Sequence, residues 1–223
     1  MWRDICWKET LNWEGEPALA LDLAVPLPVE EDRGGVRMGR WCARLAAVWY
    51  RRWTGPLYRR ACAALEEARA SARPFWPWSA GLTWTLARED EAVCSLWLEG
   101  RERQGRGAPI VLRTAMTWTR RDGFPVALSQ CLPAEEDWRG AALARVEAGL
   151  EAMRREGGSL RRDAKARAGK TLDPDRFFLG PEGPILYYPM GALGPNSSGI
   201  LEFPLCGNAG SGTFCGQKNP EKV

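Results

Sequence analysis

Apolar and polar positions along the chain alternate in two different periods. Strand patterning comes first. Ile5 and Trp7 mark one strand, and Leu19, Leu21, Leu23 and Val25 fall on one face of a second, at period two. Asn12 to Pro17 separates them, Pro26 and Pro28 end the second, and Glu30 to Gly35 is a polar connection. A helical period then takes over. Trp41, Leu45, Val48, Trp49 and Trp53, continued by Leu57, Ala61, Ala64, Leu65 and Ala68, predict one buried stripe. Gly55-Pro56 interrupts it and predicts a kink or two helices in succession. Arg44, Arg51, Arg52, Arg59 and Arg60 occupy the opposite face, which reads as a solvated surface soon offset by Glu66 and Glu67.

Beyond this helix the chain returns to alternation. Pro74-Phe75-Trp76-Pro77-Trp78 is a rigid aromatic loop, read mainly as a plug at the end of a core, with a carbohydrate or peptide platform as its functional alternative. A meander follows: Leu82-Trp84-Leu86, then Val93 to Leu98, then Ile110, Leu112, Thr114, Met116 and Trp118. Arg120-Arg121-Asp122-Gly123 predicts a hairpin turn into a strand carrying Phe124, Val126 and Leu128. Acidic residues at 135–137 open a second helix whose buried stripe is Trp138, Ala142, Val146, Leu150 and Met153. Gly157-Gly158 stops it, and Ser159 is placed to cap a short basic helix through Lys170. Near the C-terminus, Phe177-Phe178-Leu179 and Ile185-Leu186-Tyr187-Tyr188 make a hairpin around Gly180-Pro181-Glu182-Gly183. A loop through Pro195 and Gly199 then leads to a strand in which Leu201, Phe203 and Leu205 share a face. Together these predict an α+β fold: an antiparallel sheet, meander plus C-terminal strands, packed by two long amphipathic helices.

The C-terminal segment, a Phe-Phe-Leu strand, a Gly turn, an Ile-Leu-Tyr-Tyr strand, a Pro-x-x-x-Gly-Ile loop and a Glu-Phe-Pro-Leu strand, resembles the C-terminal module of the anti-sigma-V factor (RsiV-like) family. Cys94-Ser95-Leu96, Arg106-Gly107-Ala108-Pro109-Ile110 and Trp118 to Gly123 extend the resemblance over roughly residues 80 to 205. The module is a bacterial domain of unknown function, also found in some polysaccharide deacetylases outside their catalytic domain. In the anti-sigma factor the extracytoplasmic region recognises lysozyme. Pro109 stands where the family has a loop histidine, and Asn196 where it has an aromatic, so the resemblance implies weak or absent lysozyme binding here. It also implies three parts: a companion module over 1–78, the RsiV-like module over 79–205 forming one compact unit with it, and a tail at 206–223 whose composition predicts disorder.

Composition narrows the chemistry. The chain has 223 residues, a net charge of +3 and no histidine, which removes Ser-His-Asp and Cys-His catalysis and histidine metal sites. There is no P-loop and no dinucleotide fingerprint, and no cofactor is expected. Adjacent carboxylates such as Glu66-Glu67 diverge on a helix. Ser197 and Ser198 read as turn formers. The basic segment 161–167 lacks aromatic interleaving, so no nucleic-acid partner is expected. The seven cysteines are odd in number and form no Cys-x-x-Cys, so free thiols are expected, with Cys206 and Cys215 the pair to watch. No signal peptide and no membrane-spanning run is visible, which predicts a cytoplasmic chain, or an extracytoplasmic one where an anchor precedes it. The oligomeric state is left open. The expected function is a non-enzymatic ligand- or protein-binding domain of the sensor type. A cell-wall glycan-binding accessory module is the alternative, a carboxylate-based hydrolase the third reading and a nucleic-acid binder the last. The candidate contact residues are Tyr187, Tyr188, Pro195, Asn196, Trp76 and Trp78.

Overall fold

Period-two patterning produces two separate sheets, each with its own helices, in an α+β architecture. The computed structural model describes residues 2–30, 32–132 and 137–206. Two compact units divide after Val126.

In the first unit, β1 (Trp2–Trp13) and β2 (Glu16–Pro28) form an antiparallel hairpin. Its two-residue turn, Glu14-Gly15, has φ of 48° and 85°, the type I′ geometry that suits strand twist. The chain then crosses through α1 (Arg33–Arg52), a π-helical turn (Trp53–Leu57) and α2 (Tyr58–Ala70) before β3 (Trp78–Glu89), which runs parallel to β2. β4 (Val93–Arg103) and β5 (Ile110–Thr119) complete a five-stranded sheet in sequence order. Asp32 caps α1 by accepting from the Gly35 amide. The core joins Leu19, Leu21 and Leu23 of β2, Leu82 of β3 and Leu96 and Leu98 of β4 to Met38, Cys42, Trp49, Trp53 and Leu65 of the helices. Gly100 permits this packing, because a Cβ there would meet the Trp49 ring at 2.9 Å.

The interruption at Gly55-Pro56 takes the form of two helices in succession, α1 and α2, joined by the π turn, whose wider ring accommodates a residue without an N–H. Two expectations change. Val48, assigned to the buried stripe, lies on the outer face at 54% exposure. The strand expected over 124–128 reduces to one bridge between Trp118 and Pro125, with the Val126 amide donating to Thr117 O. Pro125 cannot extend the ladder, and Leu128 begins a short helix instead. The boundary read at residue 78 falls where β3 joins β2 in one sheet.

The second unit begins with α3 (Leu128–Cys131), then α4 (Trp138–Arg155) and α5 (Ala164–Thr171). A three-stranded antiparallel sheet follows: β6 (Phe177–Gly180), β7 (Gly183–Tyr188) and β8 (Leu201–Pro204), with β7 central. Ala142, Val146, Leu150 and Met153 form the buried stripe of α4 as expected. Gly149 brings that helix against β8, since a Cβ there would sit 2.7 Å from Phe203 Cδ1. Ser159 does not cap α5. Asp163 precedes its first residue, and the Ser159 carbonyl instead accepts from Ser198 Oγ. Cys42, Cys62 and Cys94 are buried free thiols. Burial pushes Cys42 and Cys94 up to about 12. Cys206 is a free, half-buried thiol, whereas Cys215, Glu135, Glu136 and the tail from 207 lie outside the described residues.

Candidate functional site

The end of α2 and the aromatic segment after it border an open groove. The last turn of α2 closes as the Arg73 amide donates to Ala68 O at 2.8 Å, with Ala72 at a positive φ of 48°. Pro74 and Pro77 then hold the chain extended until β3 begins at Trp78. Across from this segment lies the β4–β5 connection at Gln104 and Gly105. Together they enclose an open groove of about 470 Å³, lined by Glu67, Arg73, Phe75, Trp76, Trp78 and Gln104 among others.

The groove has one apolar wall and a polar rim. Trp76 is 40% exposed, and the Arg106 guanidinium lies 4.1 Å from its ring centroid. Trp78 is only 8% exposed, with Arg60 5.5 Å from its ring. Of the two tryptophans named from the sequence, Trp76 therefore offers surface to a ligand and Trp78 mainly shapes the wall. Glu67 accepts from Arg73 at 2.8 Å, so the carboxylate lining the groove is neutralised by a neighbour in the same groove. Gln104 adds an amide able both to donate and to accept.

The β4 end of the groove is anchored beneath the surface. Glu102, 5% exposed, accepts from Arg52 Nε at 2.5 Å, from Arg52 Nη2 at 3.0 Å and from the Trp53 indole at 3.0 Å. Burial pushes the Glu102 carboxyl upward, but hydrogen bonds from Arg52 and Trp53, with the Arg52 and Arg60 charges, bring it below the ordinary 4.5. This ties the π turn to the strand that delivers Gln104.

The second unit treats its candidates differently. Tyr187 and Tyr188, both named as candidate contact residues, are buried. Tyr188 donates to Ala168 O at 3.0 Å and meets Phe203 edge-on at 5.6 Å. Its hydroxyl is pushed up to about 12 by burial. Tyr187 lies beside Phe178, ring centroids 6.5 Å apart, on the central strand β7. Pro195 and Asn196 are exposed. Their loop is pinned from within, by Arg161 donating to the Leu193 and Gly191 carbonyls at 2.8 and 3.1 Å and by Ser198 on Ser159. The two aromatics and the two loop residues thus form no common patch.

Sequence reasoning missed Glu67, Arg73 and Gln104. Glu67 registered only as half of an adjacent acidic pair, and nothing near Gln104 marks it out. A smaller depression of about 320 Å³ lies along β1–β3, beside the 2.9 Å Lys8–Asp22 ion pair. The described residues contain no group of three or more His, Cys, Asp or Glu able to hold a metal ion, and no helix among them is long and apolar enough to cross a membrane.

A fold of this class, a five-stranded sheet crossed by one long helical segment plus a small three-stranded sheet with its own helices, occurs in solved structures. The chain is similar to a DUF3298 family member from Bacteroides fragilis, with a TM-score of 0.65 and 13% identity over 91% of this chain and 88% of that one. A DUF3298 family protein from Pseudomonas aeruginosa PAO1 gives 0.59 and 16% over 92% and 89%. At these identities the likeness shows the fold. No family model and no curated protein matches the chain.

Proposed function

We propose that this protein is a non-catalytic ligand-binding domain and that the groove at Phe75–Trp78 receives a carbohydrate chain. The observation that carries this reading is the composition of the groove: an exposed tryptophan on one wall, with a carboxylate, a guanidinium and an amide around it. Aromatic faces pack on the C–H faces of sugar rings while planar polar groups bond their hydroxyls. A volume of about 470 Å³ falls within the usual range for small-ligand sites. Hydrolysis by paired carboxylates needs two acids facing one bond. Here Glu67 is the carboxylate lining the groove, and Arg73 holds it.

Protein recognition through the Pro189–Gly199 loop, the sensor-type reading, is less well supported because its aromatics are spent inside the second unit. Calorimetry with soluble peptidoglycan fragments and, separately, with lysozyme distinguishes the two. Glycan binding lost in Trp76→Ala and kept in Asn196→Ala is the expected result. Lysozyme binding of micromolar or tighter affinity, about −8 kcal/mol, that depends on Pro195 or Asn196 would overturn it.

A further inference from the structure

The outer face of α1 carries a feature that the groove does not use. From Arg33 to Leu65 the chain has eight arginines and no acidic residue. On a helix advancing 100° per residue, Arg33, Arg37, Arg40, Arg44 and Arg51 fall within a sector about 60° wide, opposite the buried Met38, Cys42, Ala46 and Trp49. The ridge runs about 27 Å along the helix axis. All five arginines are exposed. Arg37 reaches the Asp122 carbonyl at 2.8 Å and the Phe124 ring at 4.1 Å, and Arg51 turns back to Ala47 O at 3.2 Å. Neither contact neutralises charge. Val36 and Val48, 41% and 54% exposed, flank the ridge on its two sides.

We propose that this ridge is a peripheral docking surface for a bilayer of anionic phospholipid. Charge complementarity selects an anionic partner, and guanidinium groups suit phosphate in particular. A ridge carried on one helix suits a flat surface, and the flanking valines fit the headgroup level. The aromatics of α1 (Trp41, Trp49 and Tyr50) lie off the ridge, so bases of a single strand would find no stacking partner there. The apolar face of α1 is committed to its own sheet, so contact is electrostatic and superficial, without insertion.

The test is co-sedimentation of the whole chain with phosphatidylcholine vesicles, with and without about one-third phosphatidylglycerol, at low and high salt. Binding to the anionic vesicles alone, weakened by salt, is expected. The exposed triple variant Arg40→Gln, Arg44→Gln, Arg51→Gln should lose about 100-fold in partitioning with an unchanged melting temperature. Arg154→Gln, Arg155→Gln, Arg162→Gln, which removes equal charge from the second unit, should lose far less. Equal binding to neutral vesicles, equal losses in the two triple variants, or tighter binding to duplex DNA than to anionic vesicles at matched salt would each overturn the proposal.

Discussion

The segment around Trp76 and the segment around Tyr188 carry similar aromatic sequence and meet opposite fates. Between two prolines the chain is extended but outside a sheet ladder, so Trp76 stays at the rim of a groove, beside polar groups from α2 and from the β4–β5 connection. Tyr187 and Tyr188 sit on the central strand of a small sheet and are both buried. An aromatic pair on a strand is therefore a poor guide to a binding surface, whereas an aromatic flanked by prolines at the end of a helix is a better one.

The largest expected effect that would break this comparison is on stability. Tyr188→Ala removes a ring packed on Phe203 and orphans the Ala168 carbonyl, and should cost about 3–5 kcal/mol in denaturant unfolding. Trp76→Ala should cost less than about 1 kcal/mol, because its ring is partly solvated. Comparable costs would mean that Trp76 is also structural.

The next effect concerns the anchor under the groove. Glu102→Gln should cost about 2–3 kcal/mol at neutral pH, below the figure for a fully buried pair because Arg52 is half exposed. The Glu102 pKa is depressed on folding, so its contribution is complete above the ordinary glutamate value of 4.5 and is lost as pH falls through the lower folded value. Acid unfolding should therefore have a Glu102-dependent limb below about pH 4.5, missing from the Gln variant. An unchanged acid limb in that variant would remove the carboxylate from the account.

A smaller effect sharpens the loop side of the comparison. Gly191 has a φ of 79°, and a Cβ there would lie 2.6 Å from Asn196 Oδ1. Gly191→Ala should cost about 1–2 kcal/mol, measured by thermal melting, whereas Asn196→Ala, at an exposed position, should stay within about 0.5 kcal/mol. A neutral Gly191→Ala would show that the loop is not held as described.

Much of the fold was legible in the residues. The patterning marked a segment in each of the eight strands described, and the stripes of α2 and α4 named most of their buried residues, whereas in α1 the buried Met38, Cys42 and Ala46 lie outside the stripe that was named. What escaped depends on partners distant in sequence. Val48 reads as apolar in a stripe but rotates outward, and the ladder after Gly123 stops at Pro125 because a proline cannot donate. The site was half legible. Trp76 and Trp78 were marked by their prolines, but Glu67 and Gln104 reach the groove only through the crossover that sets α2 beside β3 and β4. Both tyrosines were named as contact candidates, yet both are buried, because β7 is the central strand of its sheet and carries buried side chains on both faces.

The most direct measurement is a calorimetric titration of soluble peptidoglycan fragments into the wild-type chain, Trp76→Ala and Asn196→Ala, each checked for an unchanged melting temperature. Saturable binding to the wild type and to Asn196→Ala, weakened at least about tenfold (1.4 kcal/mol) in Trp76→Ala, is the result this account expects. Binding that survives loss of Trp76, or no binding to the wild type, would contradict it.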